Sequence, residues 1–273
     1  MYLAVDVGGT KTLLAAFNNE GMIHSRFKFS TPANYDDFTQ ELGKAVNELG
    51  VEDFKAACVA SPGRINREEG IGIAFGNLDW TNIPIGPDLE KIANCPVIVE
   101  NDAKLAGLSE AILIKKEFKR VLYMTISTGI GMAVIVDGKI DPDFLNMEGG
   151  QIMLEHNEKI VKWESFASGK AIKNTYGKLA SEIEDPETWR EISRNLAVGL
   201  IDILAIVQPE VVVIGGGVGT HFSKFRGPLS EELKKFETPL VPIPPLRQAE
   251  RSEEAVVYGC YELIMQRYSH AAK

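Results

Sequence analysis

Two stretches of this chain follow one plan, and that duplication constrains the fold more than any other feature. In the first, Tyr2-Leu-Ala-Val-Asp-Val7 is apolar except for Asp6 and breaks into Gly8-Gly-Thr-Lys-Thr12; an apolar run from Leu13 to Phe17 then reaches a tight turn at Asn18-Asn-Glu-Gly21. In the second, the strand-like run Arg120 to Ser127 breaks into Thr128-Gly-Ile-Gly131, Met132 to Val136 runs back, and Asp137-Gly138 turns the chain. Leu3 to Gly21 and Leu122 to Gly138 are similarly spaced. The repeat predicts two related domains, with a boundary near Ile114 to Lys119.

The segments around these hairpins alternate in character. Ile23, Phe27 and Phe29 share one face of a third strand, with His24, Arg26 and Lys28 on the other. Phe38, Leu42, Val46 and Leu49 have helical spacing from about Asn34, and Gly50 supplies a stop. Phe54 to Ala60 reads as a strand ending in Ser61-Pro-Gly63. Later come a helix from about Pro186 through Gln208, a strand at Val211-Val-Val-Ile214, a helix near Phe222 to Phe236, an extended Pro-rich segment from Pro239 to Pro245 and a last helix from about Glu253 to Tyr268. Antiparallel strands followed by alternating helices and strands define a mixed α/β sheet in each half.

Charge and composition exclude several classes of partner. A net charge of −9 argues against a nucleic-acid or anionic-membrane surface, which needs clustered Lys and Arg. No run reaches transmembrane length, and Met1 leads straight into a strand without a charged leader region. Cys58, Cys95 and Cys260 are widely separated and form no CxxC pair, so reduced core thiols in a cytoplasmic protein are expected.

Three sites can carry chemistry. The glycine turns at Gly8-Gly9-Thr10-Lys11 and Ser127-Thr128-Gly129 offer backbone N–H groups and hydroxyls to phosphate oxygens, the first with a cation added. Neither the P-loop nor the dinucleotide fingerprint is present. The cluster Gly215-Gly216-Gly217 after its strand serves either close packing by the next helix or a flat slot for adenine and ribose. Finally, Val97-Ile-Val99 forms an apolar strand that ends abruptly in Glu100-Asn101-Asp102 before a helix from Ala103 to Ile112. Either an ordinary helix cap stands there, or an acid stands at the ligand-binding edge of an α/β sheet.

Read in order, Asp6-Val-Gly-Gly-Thr-Lys11, Ser61-Pro-Gly63, Asn77-Leu-Asp-Trp80, Glu100-Asn-Asp102, Ser127-Thr-Gly-Ile-Gly131 and Val213-Ile-Gly-Gly-Gly217 resemble the successive signatures of the ROK family of sugar kinases and repressors. The resemblance implies the actin, heat-shock-chaperone and hexokinase ATPase fold, ribonuclease H-like, with two mixed-sheet domains and an interdomain cleft. The expected division is a sugar and phosphate domain over 1–115, a nucleotide domain over 116–255 and a helix at 256–273 packing back on the first. It further implies ATP and Mg²⁺ as cofactors. Asp6 would hold Mg²⁺ through water, Gly8, Gly9, Thr10, Lys11, Thr128 and Gly129 would line the triphosphate, and Gly215, Gly216 and Gly217 would border the adenosine. Asp102 would be the catalytic base. Gly63, Arg64, Asn77 and Asn101 would meet the sugar, and a homodimer is implied.

The chain departs from the family in one segment. ROK proteins usually carry Gly-Glu-x-Gly-His, then a cysteine-rich zinc loop, then a Glu that reaches the sugar. Here the residues are Met147-Glu148-Gly149-Gly150-Gln151, and no cysteine follows before Trp163-Glu164. No structural zinc is therefore expected. His156 reads as a surface residue, and Glu148, Gln151 and Glu164 remain as sugar-binding candidates. The expected activity is ATP-dependent phosphorylation of a hexose, glucose first, with N-acetylmannosamine, fructose or another hexose behind it. The rival is a non-catalytic sugar sensor; the first strand begins at Tyr2, with no helix-turn-helix ahead of it.

Overall fold

The computed structural model describes residues 1–76, 78–251 and 253–268, so Asn77 lies outside the described residues. The chain falls into two compact units, Met1–Ser109 with Glu253–Lys273 and Glu110–Ser252.

The first unit contains β1 (Tyr2–Val7), β2 (Lys11–Phe17), β3 (Ile23–Ser30), α1 (Tyr35–Glu48), β4 (Ala56–Ser61), β5 (Arg64–Asn66), β6 (Ile71–Ala74), β7 (Thr81–Ile83), α2 (Ile85–Ala93) and β8 (Val97–Asn101). Helix α3 (Asp102–Ile114) begins in it. Its main sheet has the order β3-β2-β1-β4-β8, with the β1–β2–β3 pairs antiparallel and β1, β4 and β8 parallel. The three parallel strands therefore end on the same edge. Leu3, Val5, Val7, Phe38, Leu42, Val59 and Leu89 form a core on one face. On the other, Ala4, Cys58 and Leu105 meet Val257, Cys260 and Ile264 of the last helix.

Local chemistry explains the helix starts. Asn34 Oδ1 accepts the backbone N–H groups of Asp36 and Asp37 at 2.8 and 3.2 Å, and those two acids complement the positive end of α1. Phe38, Leu42, Ala45 and Val46 give α1 its buried side. Three short strands, β5, β6 and β7, make a separate antiparallel sheet that the sequence pattern did not announce. They are only 3–4 residues long, too short for alternation to register.

The second unit holds β9 (Arg120–Ile126), β10 (Ile130–Val136), β11 (Lys139–Ile140), β12 (Met153–His156), β13 (Lys159–Lys162), α4 (Glu164–Ala167), α5 (Gly169–Tyr176), α6 (Pro186–Val207), β14 (Val211–Gly215), α7 (Gly216–Gly219), α8 (Phe222–Lys234) and β15 (Leu246–Gln248). Its sheet order is β11-β10-β9-β14-β15, antiparallel at β11–β10–β9 and parallel at β9–β14–β15. Strand for strand, this repeats the order and directions of the first unit. Asp185 caps α6, Pro186 opens it, and Trp189, Leu196, Leu200 and Leu204 bury its inner face. The segment after Gln151 is the hairpin β12–β13. The Pro-rich stretch forms one bridge, Thr238 to Val241, and no longer strand. Helix α9 (Ala255–Tyr268) completes the chain.

Candidate active site

In the first unit the site grows from the carboxyl-terminal edge of the three parallel strands, where open α/β sheets hold ligands. Asp6 on β1 lies opposite Ala60 on β4, which lies opposite Glu100 on β8; one step further, Ser61 lies opposite Asn101. The ends of three strands thus bring together Asp6, the Ser61-Pro-Gly63 turn and Glu100-Asn101-Asp102. Asp102 acts on Asp6 strongly enough to raise its pKa. Burial is the larger cause, although Asp6 keeps some solvent exposure, and Lys28 opposes both; together they push the carboxyl up to about 7.

The Glu100-Asn101-Asp102 segment forms a helix cap and stands at the carboxyl-terminal strand edge. Asn101 is the cap of α3: its Oδ1 accepts the Lys104 N–H at 3.2 Å, and its Nδ2 donates to the Gly63 carbonyl at 3.2 Å. An amide has two donors and two acceptor lone pairs, so capping leaves Asn101 one of each for a hydroxyl. Asp102 opens the helix, half-buried, and its Oδ1 accepts the Ala103 N–H at 2.7 Å. Gly63 needs its glycine: its φ is +87°, and a Cβ there would lie 2.1 Å from the Ala74 carbonyl oxygen. Arg64, next along, is exposed on β5.

The β1–β2 turn is held open by its own bracing. Gly8 N–H donates to Lys11 O at 3.1 Å, Thr31 Oγ1 donates to Gly8 O at 2.8 Å, and Thr31 N–H donates to Thr10 O at 3.0 Å. The side chains of Thr10 and Lys11 stay exposed. Thr31, one residue beyond β3, carries no sequence signal for this role. Ser61, quoted from the sequence only as part of the Ser61-Pro-Gly63 signature and without a role, has its Oγ buried with no hydrogen-bond partner at the edge where Asp6 and Asn101 end.

The second unit places its candidates at the equivalent edge. Ser127 N–H donates to Gly129 O at 2.9 Å, and Gly169 N–H donates to Ser127 O at 2.7 Å, leaving Ser127 and Thr128 exposed. Glu164 Oε2 accepts the Ile130 N–H at 3.3 Å, and Oε1 accepts Gln151 Nε2 at 2.5 Å. Gln151 and Glu164 are therefore one hydrogen-bonded pair attached to the Thr128 turn. Trp163 anchors the pair from below. It is fully buried, donates through Nε1 to Asn195 O at 2.8 Å, and rests on Gly199, where a Cβ would meet the ring at 2.2 Å. Glu148, exposed, precedes the buried Gly149 and Gly150.

The Gly215-Gly217 cluster is closely packed at two of its three positions. A Cβ on Gly215 would come within 2.5 Å of the Tyr123 hydroxyl, and Gly216, at φ +80°, would press on Thr125 and Ile126. Packing accounts for both. Gly217 alone has nothing within 4 Å of an added Cβ, so only it has room beside it. His156 is half-buried and stacks on Phe166 with ring centroids 4.1 Å apart.

Among the described residues no three His, Cys, Asp or Glu side chains cluster as a metal site. Asp6 nevertheless fits one ligand of a water-rich Mg²⁺ ion. It is an oxygen donor disfavoured as an anion by burial and by a second carboxylate, and a hard cation that keeps its waters relieves both.

These two sheets, alike in strand order and bearing their candidate residues at the carboxyl-terminal strand edge, define an α/β protein of the actin-like, hexokinase-type fold. The chain belongs to the ROK family, whose profile matches residues 2–267. A relative described as N-acetylmannosamine kinase, from Vibrio cholerae, is 27% identical over 271 residues, covering 88% of this chain and 93% of that one. The crystal structure of a ROK family glucokinase from Streptomyces griseus in complex with glucose and AMPPNP superposes with a TM-score of 0.82 at 23% identity, covering 97% and 99% of the two chains. A ROK family transcriptional regulator, a homologue of the Escherichia coli MLC protein, gives 0.83 at 19% identity over 97% of this chain and 77% of that one.

Proposed function

We propose that this protein is an ATP-dependent sugar kinase that transfers the γ-phosphoryl group to a hexose hydroxymethyl oxygen, with glucose the first candidate and N-acetylmannosamine or fructose next. The observation that carries the reading is the gathering of Asp6, Asn101 and Asp102 at one strand-end edge, with Asp102 close enough to Asp6 to perturb it. Kinship to an N-acetylmannosamine kinase supports the reaction class. The three cysteines are free and buried, which fits a reducing cytoplasm.

In the reaction, Asp102 accepts the proton of the sugar hydroxyl as that oxygen bonds to phosphorus and the bond from phosphorus to the ADP oxygen breaks. Asn101, held at two points by backbone, offers its remaining N–H and lone pair to a neighbouring hydroxyl. Gly63 and Arg64 border the same face. The turn Gly8 to Lys11 borders the phosphates, with the amides of Gly9 and Thr10 and of Thr128 and Gly129 offered to phosphate oxygens while the Gly8 N–H braces the turn through Lys11 O, and Gly217 leaves space for the nucleoside. Asp6 is the residue that would hold Mg²⁺ through water, and the ion would supply positive charge against the phosphates. Glu148, Gln151 and Glu164 supply hydroxyl partners, the Glu164 carboxylate being held by the Gln151 amide and the Ile130 N–H. A site that must pair every hydroxyl rejects sugars that leave one unpaired.

A non-catalytic sensor is the second reading, because the regulator shares the fold. Retention of Asp6, Asp102 and Thr128 favours the enzyme. ATP consumption measured over a panel of hexoses decides: Asp102→Asn should lower kcat by about 10²–10⁴-fold. Turnover surviving that change would remove Asp102 from its role. Sugar binding without turnover in the unaltered protein would establish the sensor.

A further inference from the structure

Glu100 is almost fully buried, yet it stays charged-paired rather than apolar. Its Oε2 accepts Arg67 Nε at 2.8 Å and its Oε1 accepts the Arg67 terminal nitrogen at 2.6 Å, a two-pronged contact from the turn between β5 and β6. The same Oε1 also accepts the backbone N–H of Asn101 at 2.7 Å. The Arg67 guanidinium thereby fixes a carboxylate that in turn fixes the peptide unit leading to Asn101 and Asp102. Gly63 closes the circuit, since its carbonyl receives the Asn101 amide at 3.2 Å. Turn, strand end and helix start are joined by one chain of hydrogen bonds that ends at Asn101, next in sequence to the proposed proton acceptor.

Stability alone is a weak reason for such a pair. Desolvating two ions offsets most of their attraction, and apolar replacements of similar volume often leave a protein equally stable. What apolar groups cannot do is hold the Asn101 N–H. A carboxylate free to rotate would also let that peptide turn, carrying the Asn101 amide and the Asp102 carboxyl off the line the hydroxyl needs, and a displacement near 1 Å costs about 10²-fold in rate.

We propose that Arg67 is a positioning residue for phosphoryl transfer, acting through Glu100 to set the Asn101–Asp102 pair for sugar capture and proton removal. The inference rests on the kinase reading. Steady-state kinetics and thermal melting of the full chain test it. Arg67→Met should lower kcat about 10–100-fold and raise the sugar KM, leaving the ATP KM within about twofold. Arg67→Lys keeps the charge but reaches one oxygen, so it should recover part of the sugar KM. The double variant Arg67→Met with Glu100→Met removes both charges; it should melt close to the unaltered protein and still show the kinetic loss. A well-folded double variant with kcat and sugar KM within twofold of the original would overturn the inference, as would a normal sugar KM in Arg67→Lys. Failure of the kinase reading is recognised separately: the unaltered chain itself would then turn over no sugar, and the positioning role would fall with it.

Discussion

At the penultimate position of its central strand, the first unit has Asp6 opposite Ala60; the second has Thr125 opposite Gly215. The outermost parallel strand of the first unit ends in Glu100 and Asn101, that of the second in Arg247 and Gln248. Strand order and direction are shared, so the backbone offers each unit the same edge. What differs is the chemistry mounted there. Acids gather in the first unit, whereas in the second the inner strands carry the small or hydroxylic Thr125 and Gly215 and the outer one the long polar Arg247 and Gln248. A repeated fold fixes where a site can be; the side chains at equivalent positions decide what each copy does.

The largest expected effect removes that asymmetry. Asp6→Asn gives the first unit a neutral group like Thr125, and kcat should fall on the order of 10²-fold. Its melting temperature should not fall, because the ionised carboxyl is disfavoured by burial and by Asp102. A variant that keeps full turnover would show that the acid at this position is incidental.

Next in size is the packing half of the glycine cluster. Gly216→Ala introduces a Cβ at φ +80° against Thr125 Oγ1 at 2.5 Å, and should destabilise the protein by about 2–3 kcal/mol, read in chemical denaturation. Gly217→Ala meets open space, so its stability should hold and its ATP KM should rise about 3–10-fold if adenosine lies there. Equal melting losses in both variants would assign the whole cluster to packing.

Sequence made the mixed α/β class and the family legible because their signals are local: apolar β-branched runs, helical spacing such as Phe38-Leu42-Val46-Leu49, and glycines at fixed offsets. The candidate residues themselves were nameable, but the forces that orient them were not. Arg67 reaches Glu100 across 33 positions, and Thr31 reaches Gly8 across 23, separations at which no periodicity operates. Trp163 holds Glu164 in place by resting on Gly199, and a glycine inside a long apolar helix was the one signal that could have exposed it. The β5–β6–β7 sheet escaped notice because its strands are short, although it carries Arg64 and leads into Arg67.

The smallest effect concerns how the two units begin their helices. In the first unit, α1 is capped by the neutral Asn34; in the second, α6 is capped by Asp185, whose carboxylate accepts Thr188 N–H and Oγ1 at 2.9 and 2.7 Å. Those hydrogen bonds hold the Asp185 pKa below its ordinary 3.8, with nearby charge adding to them. A carboxyl whose folded pKa lies below its unfolded one contributes stability above the unfolded value, and loses it as pH falls through the folded value. The melting difference between the unaltered protein and Asp185→Ala should therefore be flat from pH 8 to about pH 5 and shrink below pH 4. Asn34 does not titrate, so the corresponding difference for Asn34→Ala, worth about 1 kcal/mol, should not shrink over the same range. Parallel pH profiles for the two variants would show that the carboxylate charge contributes nothing at the second cap, leaving only the hydrogen-bond geometry the two caps share.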